Sequence, residues 1–141
     1  MTSPPCILDT SIASLLLRKD SRVEHYAPDL IGFRQTLSFQ TVAEMREGAL
    51  LAGWGDKRRA DLEAFLRSFV VAPFSDIAAG EWARIRVEGR KNGQRLEAGD
   101  AWIAATAAAL NGPLLTHDGD FNEKSCPGIR IIRYSDSGDR I

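Results

Sequence analysis

The sequence predicts an α/β protein with a single domain, in which a mostly parallel sheet of about five strands has helices on both faces. Two observations support this fold class. Short apolar runs bounded by turn residues alternate with longer segments in which apolar residues recur at helical spacing, and this alternation is typical of βαβ units. The chain also has 141 residues, a length that suits one domain with its own buried core.

Five short segments have the composition of strands. The first four are nearly continuous apolar runs, as expected for interior parallel strands that are buried on both faces. The predicted strands span residues 6–8, 37–39, 69–71, 114–116 and 129–133.

Helical spacing predicts five helices between these strands. The first helix directly follows Asp9, with Thr10 or Ser11 as its N-cap. The last is an Ala-rich helix that opens at Asp100 and ends at the Asn-Gly-Pro stop of residues 111–113. The predicted helices span residues 11–18, 43–51, 56–67, from residue 75 or 76 to the break at 92–93, and 101–110.

Composition sets the remaining expectations. We expect residues 1–134 to form the domain and the polar residues 135–141 to form a loosely packed tail. Cys6 and Cys126 form no CxxC pattern, which favours two reduced thiols. The N-terminus lacks the features of a signal peptide and no apolar run is long enough to span a membrane, so we expect a cytoplasmic protein with no membrane partner.

Four acidic residues occupy positions where their side chains are expected to meet. In an open parallel sheet, ligands bind outside the carboxyl ends of the strands. Asp9 ends the first strand and Asp118 follows the fourth, while Glu44 lies in the first turn after the second strand and Asp100 starts the Ala-rich helix. Clustered ionised carboxylates repel one another unless a cation neutralises them. The pattern therefore predicts a site for one or two Mg²⁺ or Mn²⁺ ions.

Each acid taken alone also has a simpler interpretation. Asp9 and Asp100 are suitable helix caps, Glu44 is a suitable partner at a helix start, and the segment Asp118-Gly119-Asp120 is typical of a turn. Capping alone gives no reason for all of these acids to lie at the same edge of the sheet. Their combination therefore favours the metal-site hypothesis.

Four segments with these acids occur in an order that resembles a known family. They are Ile-Leu-Asp-Thr-Ser at residues 7–11, Thr-Val-Ala-Glu-Met-Arg-Glu-Gly-Ala at 41–49, Gly-Asp-Ala-Trp-Ile-Ala-Ala-Thr-Ala at 99–107, and Pro-Leu-Leu-Thr-His-Asp-Gly-Asp-Phe at 113–121. In this order and spacing the chain resembles the PIN-domain family, and most of all the VapC-type ribonuclease toxins of type II toxin–antitoxin systems. The resemblance covers essentially the whole chain.

The resemblance implies roles for the acids. Asp9, Glu44 and Asp100 match the three principal catalytic and metal-binding acids of the family. Asp118 matches the fourth, and Asp120 is the alternative for that position. The loop is one residue shorter than the commonest family pattern, and we favour Asp118.

The resemblance also implies supporting residues and partners. Thr10, Ser11 and Thr116 match polar positions that shape the family's site. Membership would imply a Mg²⁺- or Mn²⁺-dependent endoribonuclease that cleaves RNA phosphodiesters, forms a homodimer and is neutralised by a cognate VapB-like antitoxin. Apolar clusters at residues 15–17 and 49–51 suggest an association surface for a second copy or for an antitoxin helix.

A nuclease with a formal net charge of −1 needs a local cationic patch for its substrate. Five basic residues between Trp82 and Asp100 are the candidates for RNA binding, although the acids interleaved with them also suit an ordinary solvated helix face. The candidates are Arg84, Arg86, Arg90, Lys91 and Arg95.

Other functions remain alternatives. A non-toxin PIN-domain nuclease that processes RNA would have the same motifs, and a PIN-like binding module would lack some of the acids. A phosphoreceiver-like Mg²⁺-binding signalling domain should have paired acids at the first strand and a Lys after the last, and this sequence has neither. A phosphatase of the haloacid type needs a second Asp where Ser11 stands.

Overall fold

The computed structural model describes residues 3–141 and contains one five-stranded sheet. All neighbouring strands are parallel, in the order β3-β2-β1-β4-β5, which confirms the predicted fold class. Met1 and Thr2, which belong to the N-terminal segment without signal-peptide features, lie outside the described residues. The strands are β1 Pro5–Leu8, β2 Arg34–Ser38, β3 Val70–Ala72, β4 Leu114–Thr116 and β5 Ile131–Arg133.

The five predicted helices are present, together with two short elements between β1 and β2 that the sequence did not predict. These two elements are a 3-10 helix at Ser21–His25 and the four-residue helix α2, both too short to show an apolar period. The α-helices are α1 Thr10–Leu17, α2 Ala27–Leu30, α3 Phe39–Leu51, α4 Asp56–Leu66, α5 Asp76–Lys91 and α6 Ala98–Leu110.

The helices cover both faces of the sheet because successive strand residues point to opposite sides. Leu8 and Leu115 pack in one apolar cluster with residues of α1, α3 and α4. Ile7 and Leu114 pack in a second cluster with residues of α5 and α6. The central strands are therefore buried on both faces, which explains their nearly continuous apolar sequences.

The strand order rejects the phosphoreceiver alternative. Phosphoreceivers have the order 2-1-3-4-5, whereas this chain has the order 3-2-1-4-5. The connections run outward from β1 to one edge through β2 and β3, and to the other edge through β4 and β5. The order reverses between β1 and β4, and ligands collect at the carboxyl ends of strands at such a point.

The prediction that residues 69–71 form an interior strand is wrong. This segment forms β3, which lies at an edge of the sheet and pairs only with β2. Val70 and Val71 are 42% and 41% exposed. A short apolar run alone does not distinguish an edge strand from an interior one.

Three predicted helix starts shift in the structure. Asp9, and not Thr10 or Ser11, is the N-cap of α1. Phe39, predicted to end a strand, is the first residue of α3, so Glu44 lies in the second helical turn. Helix α6 begins at Ala98, which makes Asp100 its third residue and not its cap. Helix ends are set by local hydrogen bonds, which the apolar period does not reveal.

The C-terminal tail makes defined contacts with the rest of the chain. Tyr134 and Arg140 form an antiparallel bridge, so the chain folds back on itself after β5. The backbone N–H of Ile141 donates to the carbonyl oxygen of Arg133 at 2.8 Å, and Arg140 forms an ion pair with Asp29. The polar side chains of the tail bond both to one another and to the domain.

Two further expectations concern the cysteines and membrane-spanning segments. Cys6 and Cys126 are both free and buried, which confirms the prediction of two thiols. Within residues 3–141, no helix combines the length and the apolar character that crossing a membrane requires.

Candidate active site

Asp9 directly follows β1, caps α1 and is hydrogen-bonded to Thr116 of β4, so it links three elements. Its side chain is 3% exposed. One carboxylate oxygen accepts hydrogen bonds from the Ser11 hydroxyl at 2.6 Å and from the Ile12 backbone N–H at 2.9 Å. The other accepts a hydrogen bond from the Thr116 hydroxyl at 2.5 Å. Burial raises the pKa of Asp9, these hydrogen bonds oppose that shift, and the nearby Asp118 adds to it.

Glu44 reaches the same edge of the sheet from α3. One of its carboxylate oxygens accepts a hydrogen bond from the Thr10 hydroxyl at 3.2 Å, and the other accepts one from the Gln40 amide at 3.2 Å. A side chain at Gly99 would place its Cβ 3.0 Å from the Gln40 amide nitrogen and 3.7 Å from the carboxylate of Glu44. Glycine at this position therefore allows the start of α6 to approach α3 closely.

Asp100, Asp118 and Asp120 form the tightest carboxylate cluster that residues 3–141 contain. One oxygen of each lies within 4.8 Å of one oxygen of each of the others. Asp118 and Asp120 belong to one turn, in which the Asp120 backbone N–H donates to the Asp118 carboxylate at 2.8 Å. The structure thus brings both candidates for the fourth acid to Asp100, where the sequence had favoured Asp118 alone.

Asp100 shows most clearly that the predicted acids converge. Burial and repulsion by neighbouring carboxylates raise its pKa to about 6. Among the repelling groups, Asp118 acts most strongly, followed by Glu44, Asp9 and Asp120. Acids from three other parts of the chain therefore act on the Asp100 side chain. The protein has placed negative charge where only a proton or a cation relieves the repulsion.

The raised pKa of Asp100 predicts how the stability of the metal-free protein depends on pH. Between about pH 4 and 6 the folded protein retains a proton that the unfolded chain has lost, so this residue destabilises the fold progressively as the pH rises. Asp100→Asn removes the effect. We therefore expect the difference in melting temperature between this variant and wild type, measured in EDTA, to increase in favour of the variant from pH 4 to 6. Above pH 6 the difference should stay constant.

A pH-independent difference in melting temperature between the two proteins would contradict this assignment. Asp76→Asn is the matched control, because Asp76 also lies in the first turn of a helix but is exposed. Its difference from wild type should stay nearly constant over the same pH range.

The predicted cationic patch divides into two groups. Arg84 forms ion pairs with Glu81 and Glu88, and Arg86 donates to the Leu96 carbonyl at 2.8 Å. The Arg84 ion pairs lie within α5, and the Arg86 hydrogen bond joins α5 to the following loop. The remaining three are exposed, and Arg95 lines a groove of about 220 Å³ together with Asp120. The exposed residues are Arg90, Lys91 and Arg95.

Arg133 is a cation that lies beside the acids, and the sequence did not indicate it. The guanidinium carbon would lie 3.3 Å from a Cβ at Gly119, the residue between Asp118 and Asp120. Arg133 is exposed, and no acid of residues 3–141 forms an ion pair with it. The only available signal was the position of Arg133 at the end of the last strand, which pairs with Thr116.

The fold and the site together define a class of protein. It is a single-domain α/β protein with carboxylates gathered at the switch point of a parallel sheet. The clustered donors are all carboxylate oxygens, the hard ligands that Mg²⁺ and Mn²⁺ accept. The donor set therefore fits a divalent cation of this kind.

The chain belongs to the PIN-domain family. The family model for the PIN domain matches residues 6–125. The chain is 36% identical over 131 residues to ribonuclease VapC5 of Mycobacterium tuberculosis, an alignment that covers 90% of this chain and 93% of that protein. It is 32% identical over 120 residues to toxin FitB of Neisseria gonorrhoeae, covering 79% and 86% of the two chains.

A solved structure agrees with these sequence matches. The crystal structure of VapBC-5 from Mycobacterium tuberculosis, a member of the VapBC family of toxin-antitoxin systems, superposes with a TM-score of 0.67 at 34% identity. The match covers 92% of this chain and 98% of that chain. The family resemblance predicted from the sequence is confirmed.

Proposed function

We propose that this protein is a metal-dependent endoribonuclease that acts as the toxin of a toxin–antitoxin pair. The observation that carries the proposal is the convergence of Asp100, Asp118 and Asp120 at the switch point of the sheet. Relatives named as a ribonuclease and as a toxin support the choice of substrate and role.

In this proposal Asp100, Asp118 and Asp120 hold one or two Mg²⁺ or Mn²⁺ ions, with Glu44 beside them. A bound ion of this kind polarises a phosphodiester and lowers the pKa of a coordinated water. The protein's own part is to hold the carboxylates in place. Because pH 7 lies above the Asp100 pKa of about 6, the Asp100 carboxylate is mostly ionised there and can bind a cation.

Asp9 has a different part in this scheme from the one predicted from the sequence. Its two oxygens already accept three hydrogen bonds, and it lies outside the cluster formed by the other aspartates. We propose that Asp9 adds negative charge to the site and orients Ser11 and Thr116 through hydrogen bonds. Thr10 orients Glu44 in the same way.

We also propose the partners that the family implies: RNA as substrate, a second copy of the chain, and a VapB-like antitoxin, all meeting in the cytoplasm. Four large apolar side chains are more than half exposed on α3 and around the start of α5, and they are candidates for contact with a protein partner. They are Leu50, Leu51, Phe74 and Ile77.

The experiment that tests the function combines purified protein with labelled single-stranded RNA. We expect cleavage in Mg²⁺ or Mn²⁺ and none in EDTA, with activity restored when the metal is added back. Cleavage that persists in EDTA would contradict a metal-dependent site. Co-expression with the product of a small adjacent reading frame should suppress cleavage. If no such gene exists, a role in RNA processing is favoured over a toxin role.

Arg133 allows a specific prediction about substrate binding. Because it is exposed beside the acidic turn and forms no ion pair with the described acids, we expect it to bind an RNA phosphate. Arg133→Gln should raise the KM for RNA about tenfold, as expected for the loss of a hydrogen bond to a charged group. The number of counterions released on RNA binding, measured from the salt dependence of the affinity, should also fall by about one.

Arg130→Gln is the matched control for this prediction. Arg130 is also exposed and has the same charge, but it precedes β5 and so lies at the amino end of that strand, whereas Arg133 lies at the carboxyl end. Its replacement should leave the KM within about twofold of wild type, since one distant and screened charge contributes little. Equal KM values for the two variants would exclude a phosphate contact at Arg133.

A further inference from the structure

His117 lies between Thr116 and Asp118 in the sequence, and both nitrogens of its ring are hydrogen-bonded. Nδ1 lies 2.9 Å from the backbone carbonyl oxygen of Ser135. A carbonyl oxygen only accepts, so Nδ1 carries the proton, and Nε2 of the neutral ring is the acceptor. Nε2 therefore accepts the hydrogen bond from the Tyr26 hydroxyl. The orientation of the ring is fixed from two sides.

The two partners of His117 come from distant parts of the chain. Tyr26 belongs to the segment between the 3-10 helix and α2, and its side chain is fully buried. Ser135 follows β5, and its backbone N–H donates to the carbonyl oxygen of Asp139 at 2.7 Å. The folded-back tail therefore presents the carbonyl group that holds the imidazole.

His117 is also connected to the acids. Its backbone N–H donates to the Ser11 hydroxyl at 3.3 Å, and that hydroxyl donates to Asp9 at 2.6 Å. The backbone N–H of the next residue, Asp118, donates to the Thr116 hydroxyl at 2.8 Å, and Thr116 in turn donates to Asp9. A change in the backbone at His117 would thus disturb both the support of Asp9 and the placement of Asp118.

We propose that Tyr26 and His117 are positioning residues of the acidic site. Together with the Ser135 carbonyl, they fix the turn of residues 116–120 so that the Asp118 and Asp120 carboxylates face Asp100. They do not touch the substrate or an ion. This inference rests on the proposed function for its catalytic consequence, but its structural part is independent of it.

The test compares Tyr26→Phe with Tyr134→Phe. Both tyrosines are fully buried, and their rings lie 4.7 Å apart, edge to face. The hydroxyl of Tyr134 donates to Asp29 at 2.6 Å and not to His117, although the Tyr134 and His117 ring centroids lie 5.7 Å apart. Both substitutions remove one buried hydroxyl from the same aromatic cluster, so we expect similar falls in melting temperature.

Only Tyr26→Phe should affect the acidic turn. In metal-free protein, we expect faster hydrogen exchange in the peptide covering residues 116–121 for Tyr26→Phe, and exchange as in wild type for Tyr134→Phe. Tyr26→Phe should also raise the Mg²⁺ concentration for half-maximal RNA cleavage about tenfold, as for other residues that orient metal ligands. The KM for RNA at saturating Mg²⁺ should not change.

A second variant tests whether Tyr26 acts through the imidazole. His117→Asn removes the acceptor for Tyr26, so its effect on Mg²⁺ dependence and that of Tyr26→Phe should not add in the double variant. Equal exchange and equal Mg²⁺ dependence for Tyr26→Phe and Tyr134→Phe would overturn the inference and leave only a structural role. If wild type fails to cleave RNA, the proposed function fails, and the exchange experiment still decides whether the turn is positioned by Tyr26.

Discussion

Asp100→Asn is expected to reduce metal-dependent RNA cleavage at least about a hundredfold while the protein remains folded. Asp100 is the acid that all the others act upon, and its carboxylate meets those of Asp118 and Asp120. A metal ion contributes several kcal/mol of transition-state stabilisation, and about 1.4 kcal/mol corresponds to a factor of ten in rate. The loss should appear as a fall in kcat, measured with labelled RNA at saturating Mg²⁺.

The same variant should be at least as stable as wild type in the absence of metal. Replacing Asp100 by a neutral amide of the same shape removes repulsion from a crowded cluster. Asp76→Asn is again the control for the loss of one charge near a helix start, and it should retain full activity. Retention of wild-type cleavage by Asp100→Asn would refute the proposed site and would point to a contaminating nuclease.

Asp9→Ala is expected to act mainly on folding. It removes the N-cap of α1 and leaves the buried hydroxyl of Thr116 without its acceptor. A lost cap costs about 1 kcal/mol, and a buried donor left without a partner costs about 1–3 kcal/mol more. We therefore expect the free energy of unfolding, measured by urea denaturation in EDTA, to fall by about 2–4 kcal/mol.

Ser75→Ala separates the two contributions to this loss. The Ser75 hydroxyl caps α5 by accepting from the backbone N–H of Ala78 at 3.0 Å, the same local bond that Asp9 accepts from Ile12. Ser75→Ala should therefore cost about 1 kcal/mol, the value of a cap alone. If Asp9→Ala costs no more than that, the buried hydrogen bond from Thr116 contributes nothing measurable.

The comparison of Asp9 with Asp100 matters for how the site is assigned. Both acids occupy principal positions in the family pattern, and either substitution should abolish cleavage in a simple assay. Loss of activity in Asp9→Ala should come with a loss of stability, whereas loss of activity in Asp100→Asn should not. Stability measured beside activity therefore separates the proposed supporting role of Asp9 from the proposed direct role of Asp100.

Most of the fold was accessible from the sequence because its signals are local. The apolar runs that became β1 and β4 and the Ala-rich helix that ends at residue 111 were predicted close to their observed bounds. The left-handed conformation of Asn111 and the Gly-Pro pair after it end α6 as expected. The edge position of β3 and the folded-back tail were not predicted, because both depend on contacts between distant segments.

The sequence alone predicted the acids of the proposed site, since Asp9, Glu44, Asp100 and Asp118 each lie just after a strand or near a helix start at the carboxyl ends of the strands. It also determined the family. Tertiary structure decided how each acid is surrounded: Asp9 is buried and accepts three hydrogen bonds, whereas Asp100 lies beside the carboxylates of Asp118 and Asp120. The proposed roles of Tyr26 and Arg133 likewise depend on the fold, because hydrogen bonds and repulsion depend on distance in space and not on spacing along the chain.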